Sequence, residues 1–258
     1  DLAVFVESEL WPNLLLGAKK RGARLALVSA RMTEQSARGW RRFPGLAHAM
    51  LGAFDLILPQ DVHTGQRLKA LGGRVDGYVN LKLVGEALPA DDGELARLKA
   101  AAGDRLIVTA ASTHPGEDPL IADAVEATGR YPLLVIVPRH PVRGPALATA
   151  LRGHNRTIAL RSAGAPLTPE TDIYIADTLG ELGLFFRLGD IAVLGGSFLP
   201  DIGGHNPLEP ARLDRPVVHG EHYANWLDVY AALGEGGVSC ADPAGLTAAL
   251  GRLLDDAD

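Results

Sequence analysis

The sequence contains few cysteines and aromatic residues and no long hydrophobic run. Cys240 is the single cysteine among 258 residues, so no intramolecular disulfide can form and no oxidising compartment is required. No uninterrupted apolar stretch reaches the roughly 18 residues of a membrane-spanning helix. The chain does not begin with Met and opens on an apolar run at 2–6, from which we expect a truncated N-terminus.

Two glycine signatures of nucleotide-binding proteins are also missing. No G-x-G-x-x-G follows an apolar run and no G-x-x-x-x-G-K-[ST] loop occurs, which argues against NAD-type and P-loop ATP sites. The net charge of −6 argues against sequence-independent nucleic-acid binding. His219 and His222 could form a metal pair, but no third ligand is near them in the sequence, so we expect no metal.

What the sequence does contain is a regular alternation of apolar runs and amphipathic stretches. This alternation predicts an α/β fold with a doubly wound parallel sheet. We expect a domain boundary within 80–103, where Pro89 and two consecutive aspartates precede a helix. Helices are predicted over about 12–21 and 34–50 and from 60–61 to 72–73. Strands are predicted at 2–6, 24–29, 55–59, 75–79, 105–110, 132–137, 156–160, 172–176, 190–194, 216–218 and 236–239.

Ligands of open α/β sheets bind beyond the carboxyl ends of the strands, so the segments after each predicted strand are informative. Strand 132–137 is followed by Pro138 and by two arginines, Arg139 and Arg143. Arginine binds phosphate through two hydrogen bonds and stays charged, which makes Arg139 the first candidate for a phosphate ligand. The alternative is that both arginines are surface charges beside a proline turn.

Strand 172–176 is followed by a second candidate segment. Thr178 and Glu181 stand three residues apart, a spacing typical of a helix capping box. The segment is either a cap alone or one whose N–H groups around Leu179, Gly180 and Glu181 bind a nucleotide.

The most informative stretch is GGHNPLEPA at 203–211. Asn206 fits a helix N-cap, Pro207 the first helical position and Glu209 the third. Glu209 either complements the helix dipole or accepts hydrogen bonds from a pair of sugar hydroxyls. The spacing leaves both roles open.

A basic stretch lies in the first part of the chain. Four arginines face one acidic residue, Glu34, within 31–42, and an apolar stripe interleaves with them at helical spacing. The stripe either packs in the core or forms an amphipathic surface that meets an anionic, lipid-bearing substrate. The arginines are Arg31, Arg38, Arg41 and Arg42, and the stripe is Trp40, Phe43, Leu46 and Met50.

Several motifs occur together and in a fixed order along the chain. They are ESELWPN at 7–13, SARM at 29–32, SARGW at 36–40, NLK at 80–82, PRHP at 138–141, GGS at 195–197 and GGHNPLEPA at 203–211. Together they resemble the family of 3-deoxy-D-manno-octulosonic acid (Kdo) transferases of lipid A glycosylation.

The resemblance implies a GT-B glycosyltransferase with two Rossmann-like doubly wound domains, the first one incomplete. Residues 1–85 would be the C-terminal portion of an acceptor-binding domain, 86–103 a linker and 104–258 the CMP-Kdo binding domain. The implied reaction transfers Kdo from CMP-Kdo to a lipid A precursor, lipid IVA, in lipopolysaccharide biosynthesis, with inversion at the anomeric carbon and without a cofactor. The implied location is the cytoplasmic face of the bacterial inner membrane, with the anchor outside this chain.

The resemblance also implies roles for individual residues. Glu9 and Lys82 would face the interdomain cleft as stabilisers of substrate or transition state, and the four arginines of 31–42 would contact the acceptor or the membrane. The family's general base, a Glu in an S-V-G-E stretch, does not occur in this sequence, so we expect this chain alone to turn over poorly. The implied nucleotide-binding set is Pro138, Arg139, Leu179, Gly180, Glu181, Asn206, Pro207, Leu208 and Glu209.

Two other functions stay open at this point. One is another GT-B nucleotide-sugar enzyme, such as a UDP-sugar transferase or epimerase, which competition between CMP and UDP would separate. The other is a non-catalytic nucleotide-binding module, for which the missing S-V-G-E stretch argues.

Overall fold

The computed structural model describes residues 1–7, 10–152 and 156–257. The chain divides into two compact units, Asp1–Gly85 and Glu86–Asp258. Both are built from parallel strands with helices between them, which confirms the predicted α/β class. In the described ranges no helix is both long and apolar enough to cross a membrane.

The first unit contains a three-stranded parallel sheet in the order β1-β2-β3. Its core is formed where apolar side chains of β2 and β3, such as Leu25, Leu27 and Ile57, pack against Leu15 and Met50 of the helices. The strands are β1 (Leu2–Val6), β2 (Arg24–Ala30) and β3 (Leu56–Pro59), and the helices are α1 (Pro12–Lys20), α2 (Glu34–Trp40), α3 (Pro44–Gly52) and α4 (Val62–Ala70).

Two predictions for the first unit are wrong. The single helix expected over 34–50 is two helices, because Pro44 has no N–H to continue α2 and instead begins α3. The strand expected at 75–79 is absent from the described sheet. The Asp76 carboxylate accepts the N–H of Ile57 at 2.8 Å, so a side chain takes one of the donors that a strand would have used.

The second unit contains a seven-stranded parallel sheet in the order β10-β9-β8-β4-β5-β7-β6. All seven strands predicted after residue 104 are present, with shifted ends. The strands are β4 (Ile107–Thr113), β5 (Leu133–Pro138), β6 (Ile158–Leu160), β7 (Ile173–Ile175), β8 (Ile191–Leu194), β9 (Val217–His219) and β10 (Gly237–Ser239). The helices are α5 (Asp92–Ala102), α6 (Glu117–Ala127), α7 (Gly144–Leu151), α8 (Leu182–Leu188), α9 (Leu208–Ala211), α10 (Leu227–Leu233) and α11 (Pro243–Ala257).

Residues 86–103, expected as a linker, belong to the second unit. Asp91 caps α5 by accepting the N–H of Glu94 at 2.8 Å. Leu98 and Ala102 on this helix are buried against side chains of β5, β7 and α8. The helix therefore covers one face of the seven-stranded sheet.

The order of the strands fixes where a ligand site can form in the second unit. From β4 the chain first builds β5, β7 and β6 on one side, and then crosses to build β8, β9 and β10 on the other. The connections that leave β4 and β8 diverge to opposite faces, which opens a crevice at the carboxyl ends of these two strands.

Candidate functional site

Four segments of the second unit meet at this crevice. The first three segments start at the ends of strands: 113–117 at the end of β4, 138–143 at the end of β5 and 195–198 directly after β8. The fourth is the glycine-rich loop, 203–211. Hydrogen bonds and ring contacts join each segment to at least one other. The sequence motifs PRHP, GGS and GGHNPLEPA are thus brought together in space.

The carboxylate of Glu117 joins the segments after β4 and β8. Glu117 is fully buried at the start of α6. Its oxygens accept backbone N–H groups of His114 at 2.9 Å, Gly196 at 2.7 Å and Phe198 at 3.0 Å. Three such donors satisfy a buried negative charge, so Glu117 holds the two loops in one arrangement.

The first glycine after β8 is required for the close approach of these loops. A Cβ on Gly195 would lie 2.6 Å from the Ser112 oxygen and 2.6 Å from the Thr113 Cα, both backbone atoms. No larger residue fits there without moving the loops apart. The GGS motif therefore reflects contact between two backbones at the crevice.

The two arginines after β5 have different surroundings. Arg143 donates to the Thr113 carbonyl at 3.0 Å and forms a salt bridge with Asp118, whose side chain is 1% exposed. The guanidinium of Arg139 is exposed and takes part in none of the hydrogen bonds or salt bridges formed by the described residues. Its backbone N–H, bonded to the Thr113 carbonyl at 3.0 Å, fixes where the side chain leaves the sheet.

The loop 203–211 presents its polar side chains beside Arg139. Asn206 accepts the N–H of Leu208 at 3.1 Å and donates its amide to Glu209 at 3.3 Å. Helix α9 begins at Leu208 with Pro207 as its N-cap, one residue later than the sequence predicts. Burial raises the pKa of Glu209, while Asn206 and the positive charges of Arg212 and Arg139 oppose that rise.

The capping box predicted after β7 is wrong. Thr178 donates its hydroxyl to the Glu181 carboxylate, and Glu181 itself is the N-cap of α8 with no side-chain cap bond. Arg161 binds the same carboxylate through two hydrogen bonds of 2.7 and 2.5 Å and holds its pKa below the usual range. The side chain of Glu181 is therefore occupied, while Leu179 beside it is 84% exposed.

Comparisons with known proteins agree with this geometry. Residues 1–84 match the family model described as 3-Deoxy-D-manno-octulosonic-acid transferase (kdotransferase). The chain is 34% identical over 234 residues to the 3-deoxy-D-manno-octulosonic acid transferase of Bordetella pertussis, covering 87% of this chain and 54% of that protein. The chain belongs to the Kdo transferase family. It spans about half the length of the curated relatives it matches.

Solved structures agree with this family membership. The C-terminal CMP-Kdo binding domain of WaaA from Acinetobacter baumannii is 29% identical, with a TM-score of 0.55 over 64% of this chain and 95% of that one. The UDP-GlcNAc 2-epimerase of Neisseria meningitidis is 10% identical, with a TM-score of 0.63 over 99% of this chain and 68% of that one. The latter likeness shows the GT-B fold alone.

The first unit of this Kdo transferase chain carries the remaining expected site residues. The Asn80 side chain accepts the N–H of Lys82 at 3.0 Å, and the Ser29 hydroxyl accepts the N–H of Leu81 at 3.2 Å. The SARM and NLK motifs are therefore neighbours in the fold. Glu9, the other expected stabiliser, lies outside the described residues.

The basic stretch of the first unit is divided between core and surface. Met50 is buried and Trp40 packs against the core, whereas Phe43 is 63% and Leu46 is 40% exposed. Of the arginines, Arg31 is half-buried and the other three are exposed. Glu34 lies 3.6 Å from Arg38 and 3.3 Å each from Arg41 and Arg67.

Several residues that shape the site were not predicted from the sequence. They include Glu117, His114 and Arg161. Residues 114–117 directly follow β4, so His114 and Glu117 stand where the sequence pattern places ligand-binding segments. Arg161 directly follows β6, but its pairing with Glu94 and Glu181 had no signal, because these partners are distant in sequence. Among the described residues no group of three or more His, Cys, Asp or Glu is arranged to hold a metal ion.

Proposed function

We propose that this chain carries the donor-binding part of a glycosyltransferase that moves Kdo from CMP-Kdo to a lipid A precursor such as lipid IVA in lipopolysaccharide biosynthesis. The observation that carries the proposal is the crevice of the second unit, where the exposed guanidinium of Arg139 lies close enough to the half-buried Glu209 for its charge to act on the pKa of that carboxyl. A nucleoside monophosphate offers a phosphate for the first and ribose hydroxyls for the second.

The donor would bind along the carboxyl ends of the strands. Arg139, beside the buried Pro138, would bind the phosphate that links the nucleoside to the sugar. Glu209, held by Asn206, would accept hydrogen bonds from the ribose hydroxyls. The other proposed contacts are backbone groups. They belong to Leu179, Gly180 and Glu181 in the segment after β7, and to Pro207 and Leu208 in the glycine-rich loop.

The chemistry follows from the leaving group. Departure of CMP breaks the bond between the anomeric carbon and one phosphate oxygen and leaves an oxocarbenium-like centre, as in glycoside hydrolysis. A fixed guanidinium beside that phosphate stabilises the charge that develops as the bond breaks. The acceptor hydroxyl attacks from the opposite face, which inverts the anomeric carbon, and its proton needs a general base. No residue of this chain is assigned that role, and Glu9 and Lys82 are proposed as stabilisers only.

The acceptor and the membrane would meet the first unit. Exposed Phe43 and Leu46 beside a cluster of arginines form a surface with both apolar and cationic character. Such a surface suits an anionic, lipid-bearing acceptor at the cytoplasmic face of the inner membrane. The proposed contacts are Arg31, Arg38, Arg41 and Arg42.

Competition between nucleotides tests the donor proposal. Calorimetric titration of the purified 258-residue chain should give binding of CMP, and UDP should compete poorly. Preference for UDP would favour a different GT-B nucleotide-sugar enzyme. Purified chain that transferred Kdo at a substantial rate would contradict the expectation that it turns over poorly alone.

Replacement of Glu209 tests the contact with ribose. Glu209→Gln should lower CMP affinity by about tenfold or more, because a charged hydrogen-bond acceptor contributes roughly 1.5–3 kcal/mol. Glu221→Gln, at an exposed glutamate outside the proposed contacts, is the matched control and should leave affinity unchanged. Equal affinities for all three proteins would show that Glu209 serves only the helix start.

A further inference from the structure

Three histidine rings meet at the crevice, each from a different segment. His114 follows β4, His140 follows β5 and His205 lies in the glycine-rich loop. The rings of His114 and His205 lie nearly in one plane and meet through their Nε2 atoms, with a 7° angle between the ring planes, a centroid distance of 5.1 Å and an Nε2–Nε2 distance of 2.9 Å. His140 meets His114 edge-on, with centroids 6.2 Å apart.

The short distance between the two Nε2 atoms limits the charge of the pair. One Nε2 must donate and the other must accept, because two N–H groups cannot face each other at 2.9 Å. Two neutral rings meet this condition, and so does one neutral ring beside one charged ring, with the added proton on an Nδ1 atom. The pair of His114 and His205 can therefore take up one proton, but not two, without separating.

The position of His205 is fixed by the backbone of the opposite loop. Gly196 has φ of +69°, and a Cβ there would lie 2.9 Å from Nε2 of His205. Gly204 donates its N–H to the Gly196 carbonyl at 2.8 Å, which joins the two loops next to the ring. The short contact between the imidazoles is thus a built feature of the crevice.

The surroundings of the pair disfavour its protonation in the free protein. Burial and the charges of Arg139 and His114 lower the pKa of His205 to about 4. Burial also lowers the pKa of His114, where the charges of His140, Arg143 and Arg139 act in the same direction and Glu117 opposes them. Arg139 is the one of these cations that is both exposed and proposed to bind the phosphate.

We propose that the His114–His205 pair takes up one proton when the anionic phosphate of a nucleotide binds at Arg139. The phosphate offsets the positive charge that opposes protonation of both rings, and the charged pair then attracts the phosphate in turn. This inference rests on the proposed function, because it needs a nucleotide phosphate in this crevice. It makes the two histidines positioning residues whose charge depends on occupancy of the site.

Proton stoichiometry tests the proposal. CMP is titrated into the full 258-residue chain by calorimetry, at a pH of about 5.5, one unit below the ordinary histidine pKa, in buffers that differ in ionisation enthalpy. The phosphate of CMP titrates near pH 6 itself, so the informative quantity is the difference between proteins. We expect wild type to take up about 0.2 to 0.5 proton more than His205→Asn, which is the change that a tenfold rise in proton affinity gives. His63→Asn, at an exposed histidine of the first unit, should match wild type.

A second measurement starts from the wild-type protein. Imidazole resonances of wild type are titrated with acid in the absence and presence of saturating CMP. We expect CMP to raise the proton affinity of the pair by about tenfold or more, which is one pKa unit. His114→Gln should abolish that rise if His205→Asn proves too unstable to titrate.

The outcomes separate the inference from the proposed function. CMP binding with the same proton stoichiometry in wild type, His205→Asn and His63→Asn, and with unchanged imidazole titration, overturns the inference and leaves the proposed function standing. Absence of CMP binding by wild type, with binding of another nucleotide, contradicts the proposed function and removes the basis of the inference as well.

Discussion

The wall of the crevice and its mouth use the same charged residue types in opposite surroundings. In the wall, the buried carboxylates of Glu117 and Asp118 are bonded to backbone N–H groups and to the Arg143 guanidinium, respectively. At the mouth, Arg139 is exposed and Glu209 is half-buried with one amide partner. Charges in the wall therefore maintain the fold, whereas charges at the mouth remain available for a ligand.

The two arginines of one turn give the sharpest test of this comparison. Arg143→Met should lower the free energy of unfolding by about 3 kcal/mol, because it leaves the buried Asp118 without its cation. Arg139→Met should change it by less than about 0.5 kcal/mol, as expected for an exposed side chain. Urea denaturation measures both, and CMP titration should show the reverse order for affinity. Equal losses of stability would contradict the distinction between wall and mouth.

Glu117 should give the next largest effect. Glu117→Gln keeps the size of the side chain but replaces a charged acceptor of three N–H groups, and we expect a loss of about 2 kcal/mol in the free energy of unfolding. Chemical denaturation measures it. Glu235→Gln, at an exposed glutamate, provides the control. A change as small as that of the control would show that the two loops hold their arrangement without this carboxylate.

Replacement of Glu209 should change stability less than replacement of Glu117 or Arg143, and with opposite sign. Its pKa is raised in the folded protein above the ordinary 4.5, so the folded state prefers the protonated carboxyl. That stabilising preference is fully present below the unfolded pKa and is lost as pH rises through the folded pKa. Glu209→Gln keeps a neutral group at all pH values and should raise stability at neutral pH by less than about 1 kcal/mol.

Denaturation at two pH values checks this sign. The gain from Glu209→Gln should be present at neutral pH and should disappear near pH 4, where wild type is itself protonated. A loss of stability at neutral pH would indicate that the carboxylate serves chiefly the helix dipole. The variant's loss of CMP affinity, measured alongside, would then decide whether it also contacts ribose.

Much of the fold follows from the sequence because its strands are short, apolar and well separated. All seven strands of the second unit were predictable. Strands β5, β7, β8 and β9 are buried throughout and read as continuous apolar runs, whereas the edge strands β6 and β10 are partly exposed. The errors occurred where one residue overrides a pattern. Pro44 divided a helix that the apolar spacing had joined, and the Asp76 carboxylate took a donor that a strand would have used.

The candidate site was predictable only in part. Arg139 directly follows β5, and Asn206 and Glu209 stand in the glycine-rich connection between β8 and β9, so their location at the crevice could be predicted. The ion pair of Arg161 with Glu181 could not be predicted, because the two residues are 20 positions apart and lie in different connections between strands. The sequence also favoured Thr178 as the cap of α8. In the structure the Thr178 hydroxyl instead donates to the Glu181 carboxylate, which Arg161 binds as well.

Local sequence patterns were enough to predict the class of fold, the family and the loops that line the proposed nucleotide site, because apolar periodicity, motifs and the residues after each strand are local properties. Packing in three dimensions, in contrast, decides that Arg143 is bound to Asp118 while Arg139 remains exposed, and that the Nε2 atoms of His114 and His205 lie 2.9 Å apart. Those features depend on which side chains from distant segments share the low-dielectric interior. That partnership is set by the order of the strands and the close approach of their loops.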